Sequence, residues 1–148
     1  MKHASSQILF DHWTERRGRH GLPERTAIDP GAIRGSLGDT FILSFNRRGG
    51  HPVRLAGTRV CALAGGAMKD QPFAELFRRE DRDELMRLVD LVADESIGLI
   101  AGAVASTEEG LSLGLELLVL PLAHWGRTHA RLIGVLAPVK VPAWFGTQ

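Results

Sequence analysis

Hydrophobic and polar positions change period several times along the chain, and each change predicts an element. From Thr40 to Phe45, Phe41, Leu43 and Phe45 alternate with Ile42 and Ser44, the two-residue period of a strand. Asn46-Arg-Arg-Gly-Gly50 is turn chemistry, and beyond it Val53 and Leu55 alternate with Arg54 and Ala56, which predicts a second strand and a hairpin. Gly57 breaks the alternation. Thr58 then stands where a helix N-cap belongs, because its hydroxyl can accept a free backbone N–H of the next turn, and Val60, Leu63 and Ala64 follow at helical spacing before Gly65-Gly66. Strand, tight turn and short helix fold back on one another here, which leaves room for a pocket over one sheet face.

Before that hairpin, Ser5 or Ser6 is positioned to cap a helix running to about Arg17, ended by Gly18, with Leu9, Phe10 and Trp13 as a narrow apolar stripe. So short a stripe must lie against the chain's own sheet or a second copy. Arg16, Arg17, Arg19 and His20 cluster at the helix end, where positive charge suits the macrodipole, and read as a solvated last turn rather than an anion site. Residues 21–38 form an irregular connector in which Asp29-Pro30 can open one helical turn, tied down by Ile28, Ile33 and Leu37. After the hairpin, Asp70 to Phe77 can form a second short helix with Phe73 and Phe77 on one side. Asp81, with Glu84 three residues on, resembles a capping box for a longer helix whose buried stripe is Leu85, Leu88, Val89 and Val92, ending near Glu95 to Gly98.

Ile97 to Ala105 is nearly all small and apolar, the pattern of a strand covered on both faces or approached closely by another backbone. Ser106 to Gly110 is a turn; Leu113, Leu115, Leu117 and Val119 then alternate with Gly114, Glu116, Leu118 and Leu120 as a strand limited by Pro121. His124-Trp-Gly126 turns the chain into a last strand, Ala130 to Ala137, stopped by Pro138 and Pro142 before the tail Trp144-Phe145. Hairpins at both ends with helices gathered between them predict an α+β fold: a five-stranded antiparallel sheet with short helices over one face and an extra N-terminal helix. The expected division is 1–38 for helix and connector, 39–140 for the core and 141–148 for the tail. A doubly wound nucleotide fold is excluded, because βαβ units are absent.

Composition narrows function by exclusion. Forty-four per cent hydrophobic and 24% charged residues in 148 suit one globular domain with a real core. A net charge of +1, 18 basic against 17 acidic residues, argues against a nucleic-acid partner. The single cysteine, Cys61, excludes an internal disulfide and a C-x-x-C site and fits a reducing compartment. With no signal-like start and no long apolar run, the expectation is a cytoplasmic protein without membrane insertion.

Several segments resemble, in order and spacing, a stand-alone bacterial PAS-like family, the fifth of the PAS grouping: Phe10-Asp-His-Trp13, Leu22-Pro-Glu-Arg25, Ile28-Asp-Pro30, Arg54-Leu-Ala-Gly-Thr58, Leu117 to Leu122 and Leu132 to Pro138. The resemblance implies a sensory or regulatory module, usually a homodimer, with a cavity between sheet and short helices that holds haem, flavin, a small carboxylate or nothing. It fixes no cofactor. Flavin photoreceptors of this class carry Asn-Cys-Arg-Phe-Leu-Gln around the reactive cysteine, whereas Cys61 lies in Thr58-Arg-Val-Cys-Ala-Leu63, so photochemistry is not expected. No kinase, cyclase or DNA-binding segment accompanies the domain, and output is expected through a signalling protein partner.

Five residues around the expected cavity are candidates for ligand binding: Arg54, Leu55, Thr58, Cys61 and Phe73. A guanidinium grips a carboxylate or phosphate in two places, although strand alternation also allows Arg54 an outer position, paired with Glu116 or free in water. Cys61 reads first as a small buried apolar residue and second as a low-pKa thiol near a helix start. Leu9, Phe10 and Trp13 are the candidate dimer interface. His124 and His129 flank a turn in a way that suggests metal or haem ligation, but no third ligand has a recognisable spacing and no metal is expected. Catalytic motifs are absent and Glu108-Glu109 looks solvated, so the chain is not expected to be an enzyme; a small-molecule binding protein or an enzyme using the same cavity is the alternative.

Overall fold

The computed structural model describes residues 1, 3–17, 21–106, 112–123 and 130–139. Helix α1 spans Ala4–Arg17, β1 Thr40–Ser44, β2 Val53–Ala56, α2 Thr58–Ala64, α3 Arg79–Glu95, β3 Leu99–Ser106, β4 Ser112–Pro121 and β5 Ala130–Pro138, with 3-10 turns at Arg25–Ala27, Arg34–Asp39 and Phe73–Leu76. The strands form one sheet in the order β2-β1-β5-β4-β3, antiparallel at every pairing. The expected turns at 107–110 and 124–126, the helix stop at Gly18, the basic residues Arg19 and His20, and the tail at 141–148 lie outside the described residues.

Alternation along each strand sends side chains to two apolar layers. Phe41, Leu43, Leu115, Leu117, Val119, Leu132 and Leu136 point to an inner face, where they meet Met68, Phe73, Phe77 and the α3 stripe Leu85, Val89 and Val92. Ile42, Leu118, Leu120, Ile133, Val135 and Ala137 point outward, where α1 and the connector cover them with Leu9, Trp13, Ile28 and Ile33. Trp13 is only 3% exposed, and its indole Nε1 donates to the carbonyl oxygen of Pro121 at 2.9 Å. The connector is therefore part of the fold through Ile28 and Ile33, while Leu37, expected to tie it down with them, is 36% exposed.

Alternation fails at one place, β2. Ile42 pairs with Leu55 but the next residue, Leu43, pairs with Val53, so Arg54 has no opposite number and forms a β-bulge. Val53 and Ala56 consequently pack on the inner face while Leu55, expected beside Val53, is exposed.

Helix starts differ from their sequence expectations in a consistent way. Gly57, not Thr58, is the N-cap of α2, and no side chain caps it. A Cβ at Gly57 would collide with the carbonyl oxygen of Leu37, so glycine permits the close approach that starts the helix one residue early. Helix α3 begins at Arg79 with Arg78 as N-cap; Asp81 sits in the first turn, where its carboxylate suits the macrodipole and accepts from Arg78 Nε at 2.9 Å. Helix α1 begins at Ala4, with Ser5 and Ser6 buried inside it and the Ser5 N–H bonded to His3 Nδ1. The helix expected at 70–77 is a single 3-10 turn that presents Phe73 to the core. Gly65 ends α2 as expected, left-handed at φ 80°, with the N–H of Gly66 returning to Cys61 O.

The two edges of the sheet are not alike. Beside β2, Val53 exchanges backbone hydrogen bonds with residues 70 and 71, Val53 N to Gln71 O at 2.9 Å and Asp70 N to Val53 O at 2.8 Å. Strand β3 pairs with β4 on one side, and on the other no backbone group among the described residues meets it. The run Ile97 to Ala105, whose pattern left open a strand covered on both faces or one approached closely by another backbone, contains an edge strand whose outer face is open, with Ile100 45% exposed.

Candidate functional site

Between the sheet and the short helices the core is packed with aromatic rings. Phe41 and Phe73 have ring centroids 4.5 Å apart, and Phe73 meets Phe77 edge to face at 5.1 Å, all three rings fully buried or nearly so. Gly134 makes this possible, since a Cβ there would run into the Phe41 ring and the carbonyl oxygen of Leu118.

Of the five candidate ligand residues, the structure places only Phe73 in this core, as packing. Cys61 is half-buried at its margin with Sγ 3.8 Å from Ala56 O, which agrees with the apolar reading of the thiol. Arg54, Leu55 and Thr58 are exposed and converge on nothing: the bulge turns Leu55 outward, and Thr58 falls on the solvent side of α2. Strand β2 lies three strand spacings from β4, about 14 Å, so Glu116 is not a partner of Arg54. His124, His129, Glu108 and Glu109 lie outside the described residues.

The concave apolar surface lies on the other side of the sheet. A groove of about 420 Å³ runs between α1 and the β3 edge, lined chiefly by Phe10, Trp13, Ile97, Leu99, Ile100 and Leu120. Ile97 is 54% exposed, and Arg17 roofs one end by stacking its guanidinium 4.9 Å from the Trp13 ring. The three residues expected at a dimer interface divide here. Leu9 and Trp13 are buried in the chain's own outer core, Trp13 with one edge at the groove, while Phe10, stacked on Trp13 at 6.2 Å, stands more open beside it. Ile97 and Ile100 were not singled out from sequence. An apolar run looks alike whether it is buried or waiting to be; only the place of β3 at the edge distinguishes the two.

Two polar clusters fasten the layers. Asp39, buried at the entry to β1, accepts from Ser5 Oγ of α1 at 2.6 Å and from Arg59 Nε and Nη2 of α2 at 2.8 and 3.2 Å. Burial alone raises the pKa of this carboxyl, but the hydrogen bonds from Arg59 and Ser5 and the Arg59 charge outweigh it and hold the group below its usual range. One carboxylate thus joins a helix of the outer face to a helix of the inner face. At the far end of the hairpin, His51, left-handed at φ 57° and 1% exposed, accepts the Asn46 N–H at Nδ1 and donates from Nε2 to Asp90 of α3 at 2.8 Å. Arg47 adds ion pairs to Asp90 and Asp94. These contacts pin the β1–β2 turn to α3.

A family model described as PAS domain matches residues 1–137. The chain belongs to the PAS domain family. The fold of this PAS domain recurs in solved structures: the LOV domain of a fungal photoreceptor (TM-score 0.58, 15% identity, 92% of this chain and 94% of that one), a LOV domain solved with a flavin analogue (0.57, 15%, 77% and 88%) and a PAS domain from Colwellia psychrerythraea (0.53, 14%, 75% and 98%). At such identities the fold alone is shared. No curated relative matches the chain. Among the described residues no helix is long and apolar enough to cross a membrane.

Proposed function

We propose that this PAS domain is a non-catalytic regulatory module that works by protein contact through the outer-face groove between α1 and β3. One observation carries this reading: apolar surface that a ligand-binding domain would keep inside is occupied by Phe41, Phe73 and Phe77, while Ile97, Ile100 and Phe10 present apolar surface outside. A small ligand acting as a gate would have to displace the Phe73 and Phe77 rings, so ligand control, if selected, works through the inner core while output leaves from the opposite face. Asp39, hydrogen-bonded to α1 and α2 at once, supports coupling between the two.

The test is light scattering on purified protein across a concentration series. Wild type is expected at twice the chain mass and Phe10→Glu at the chain mass, with unchanged circular dichroism. Native mass spectrometry is expected to give twice the chain mass with no added mass from a retained small molecule. A retained ligand, with wild type monomeric, would reverse the reading in favour of a small-molecule binding protein.

A further inference from the structure

Strand β3 is a sheet edge with no backbone partner on its outer side among the described residues. It is eight residues long and keeps unbroken register with β4 from Leu99 opposite Val119 to Ser106 opposite Ser112, with no bulge to twist it away from a partner. Residues 97–106 contain no charge and no proline. Sheet edges are ordinarily blunted by short strands, lysines, prolines, bulges or a covering segment. The β2 edge has such cover in residues 70 and 71, and β3 has none among the described residues. Its outward N–H and C=O groups are a template for another extended strand.

We infer that this edge takes β3 of a second copy, antiparallel about a two-fold axis at Gly102, so that two sheets join into one. This rests on the contact reading above and adds the partner and its geometry. About that axis Ile100 of one copy stands opposite Val104 of the other, a favourable β-branched pair, while Ala101 faces Ala103 and Gly102 faces itself. The axis runs perpendicular to the sheet, so both outer grooves lie on the same face of the joined sheet, one on each side of the seam. The exposed Ile100 of each copy is thereby covered by Val104 of the other, at the mouth of its groove.

Charge on the inner side agrees. A cleft of about 300 Å³ separates α3 from Ala101 to Val104 and is rimmed by Arg78, Asp81 and Glu84. The alanines of an incoming β3 fit so narrow a cleft, and Arg78, paired with Asp81 of its own chain at 2.9 Å, leaves the rim only weakly charged toward an uncharged strand. A strand with charged side chains would instead place them against Ile97 and Ile100. An uncharged copy of the same edge is the complementary occupant.

Gly102→Lys tests the pairing. A Cβ at Gly102 meets nothing within 4 Å, and its cross-strand neighbour is Glu116, so the lysine suits the single chain while setting like charges across the two-fold axis. Gly66→Lys, at a glycine with equal space away from the edge, is the control. In light scattering, wild type and Gly66→Lys are expected at twice the chain mass and Gly102→Lys at the chain mass, with the dichroism of all three alike. Hydrogen exchange of the outward β3 amides is expected to be slow in wild type and fast in Gly102→Lys. If Gly102→Lys stays dimeric, edge pairing is overturned; should Phe10→Glu be monomeric in the same series, the contact reading survives that failure. Wild type at the chain mass throughout overturns both.

Discussion

The inner and outer faces of the sheet bury comparable aliphatic rows but finish them differently. Inside, α2, α3 and the 3-10 turn at Phe73–Leu76 close over three phenylalanine rings. Outside, a single helix, α1, lies against β4 and β5 through Leu9 and Trp13 and stops short of β3, leaving Ile100 and the approach residue Ile97 in water. The difference teaches that an apolar residue on this sheet is buried in the fold or left at the surface according to which strand carries it. Leu118 and Ile100 are cross-strand neighbours on the same face, yet the first is core and the second is surface.

The comparison is most directly broken at the two aromatic anchors. Phe73→Ala and Trp13→Ala are each expected to destabilise by about 3–5 kcal/mol, the range for removing a buried aromatic side chain, as read by urea denaturation. Equal losses would mean the outer layer is as much a core as the inner; a Trp13→Ala loss below about 1 kcal/mol would mean α1 is merely laid on the sheet. His51→Ala is expected to cost about 2 kcal/mol, because it leaves the Asn46 N–H and Asp90 without their partner.

Asp39 supplies a test that depends on pH. Its folded pKa lies below the ordinary 3.8, so it contributes stability above that value and loses the contribution as pH falls through the folded pKa. Asp39→Asn is expected to flatten this acid limb and to cost about 1 kcal/mol at neutral pH, a modest figure because Arg59 is more than half exposed. The smallest effect on stability is expected at the groove: Ile97→Lys should change the unfolding free energy by less than about 0.5 kcal/mol while weakening self-association. A large loss of stability there would place Ile97 in the core after all.

Much of this architecture was legible because periodicity reports burial. The two-residue rhythm in Phe41–Leu43 and Leu113–Leu120 gave two faces, and the stripe Leu85, Val89, Val92 gave the seat of α3. Leu55 was misplaced because a bulge has no sequence signature in a four-residue strand; one unpaired residue, Arg54, reversed its facing. Thr58 and Asp81 were misplaced as caps because capping preference cannot see Leu37 pressing on Gly57, and because acidic residues favour the first helical turn as well as its cap. The ligand candidates scattered for a related reason. They were chosen for a cavity, and whether one exists depends on how Phe41, Phe73 and Phe77 meet across more than thirty residues of chain.

The unequal sheet edges also set a limit on stoichiometry. A chain with two open edges would polymerise, each added copy offering a fresh end, as in fibrils. Here Asp70 and Gln71 occupy the β2 end, so only one end can grow. If β3 pairs as proposed, joining there consumes both free ends at once, and assembly ends at a pair instead of continuing into a filament.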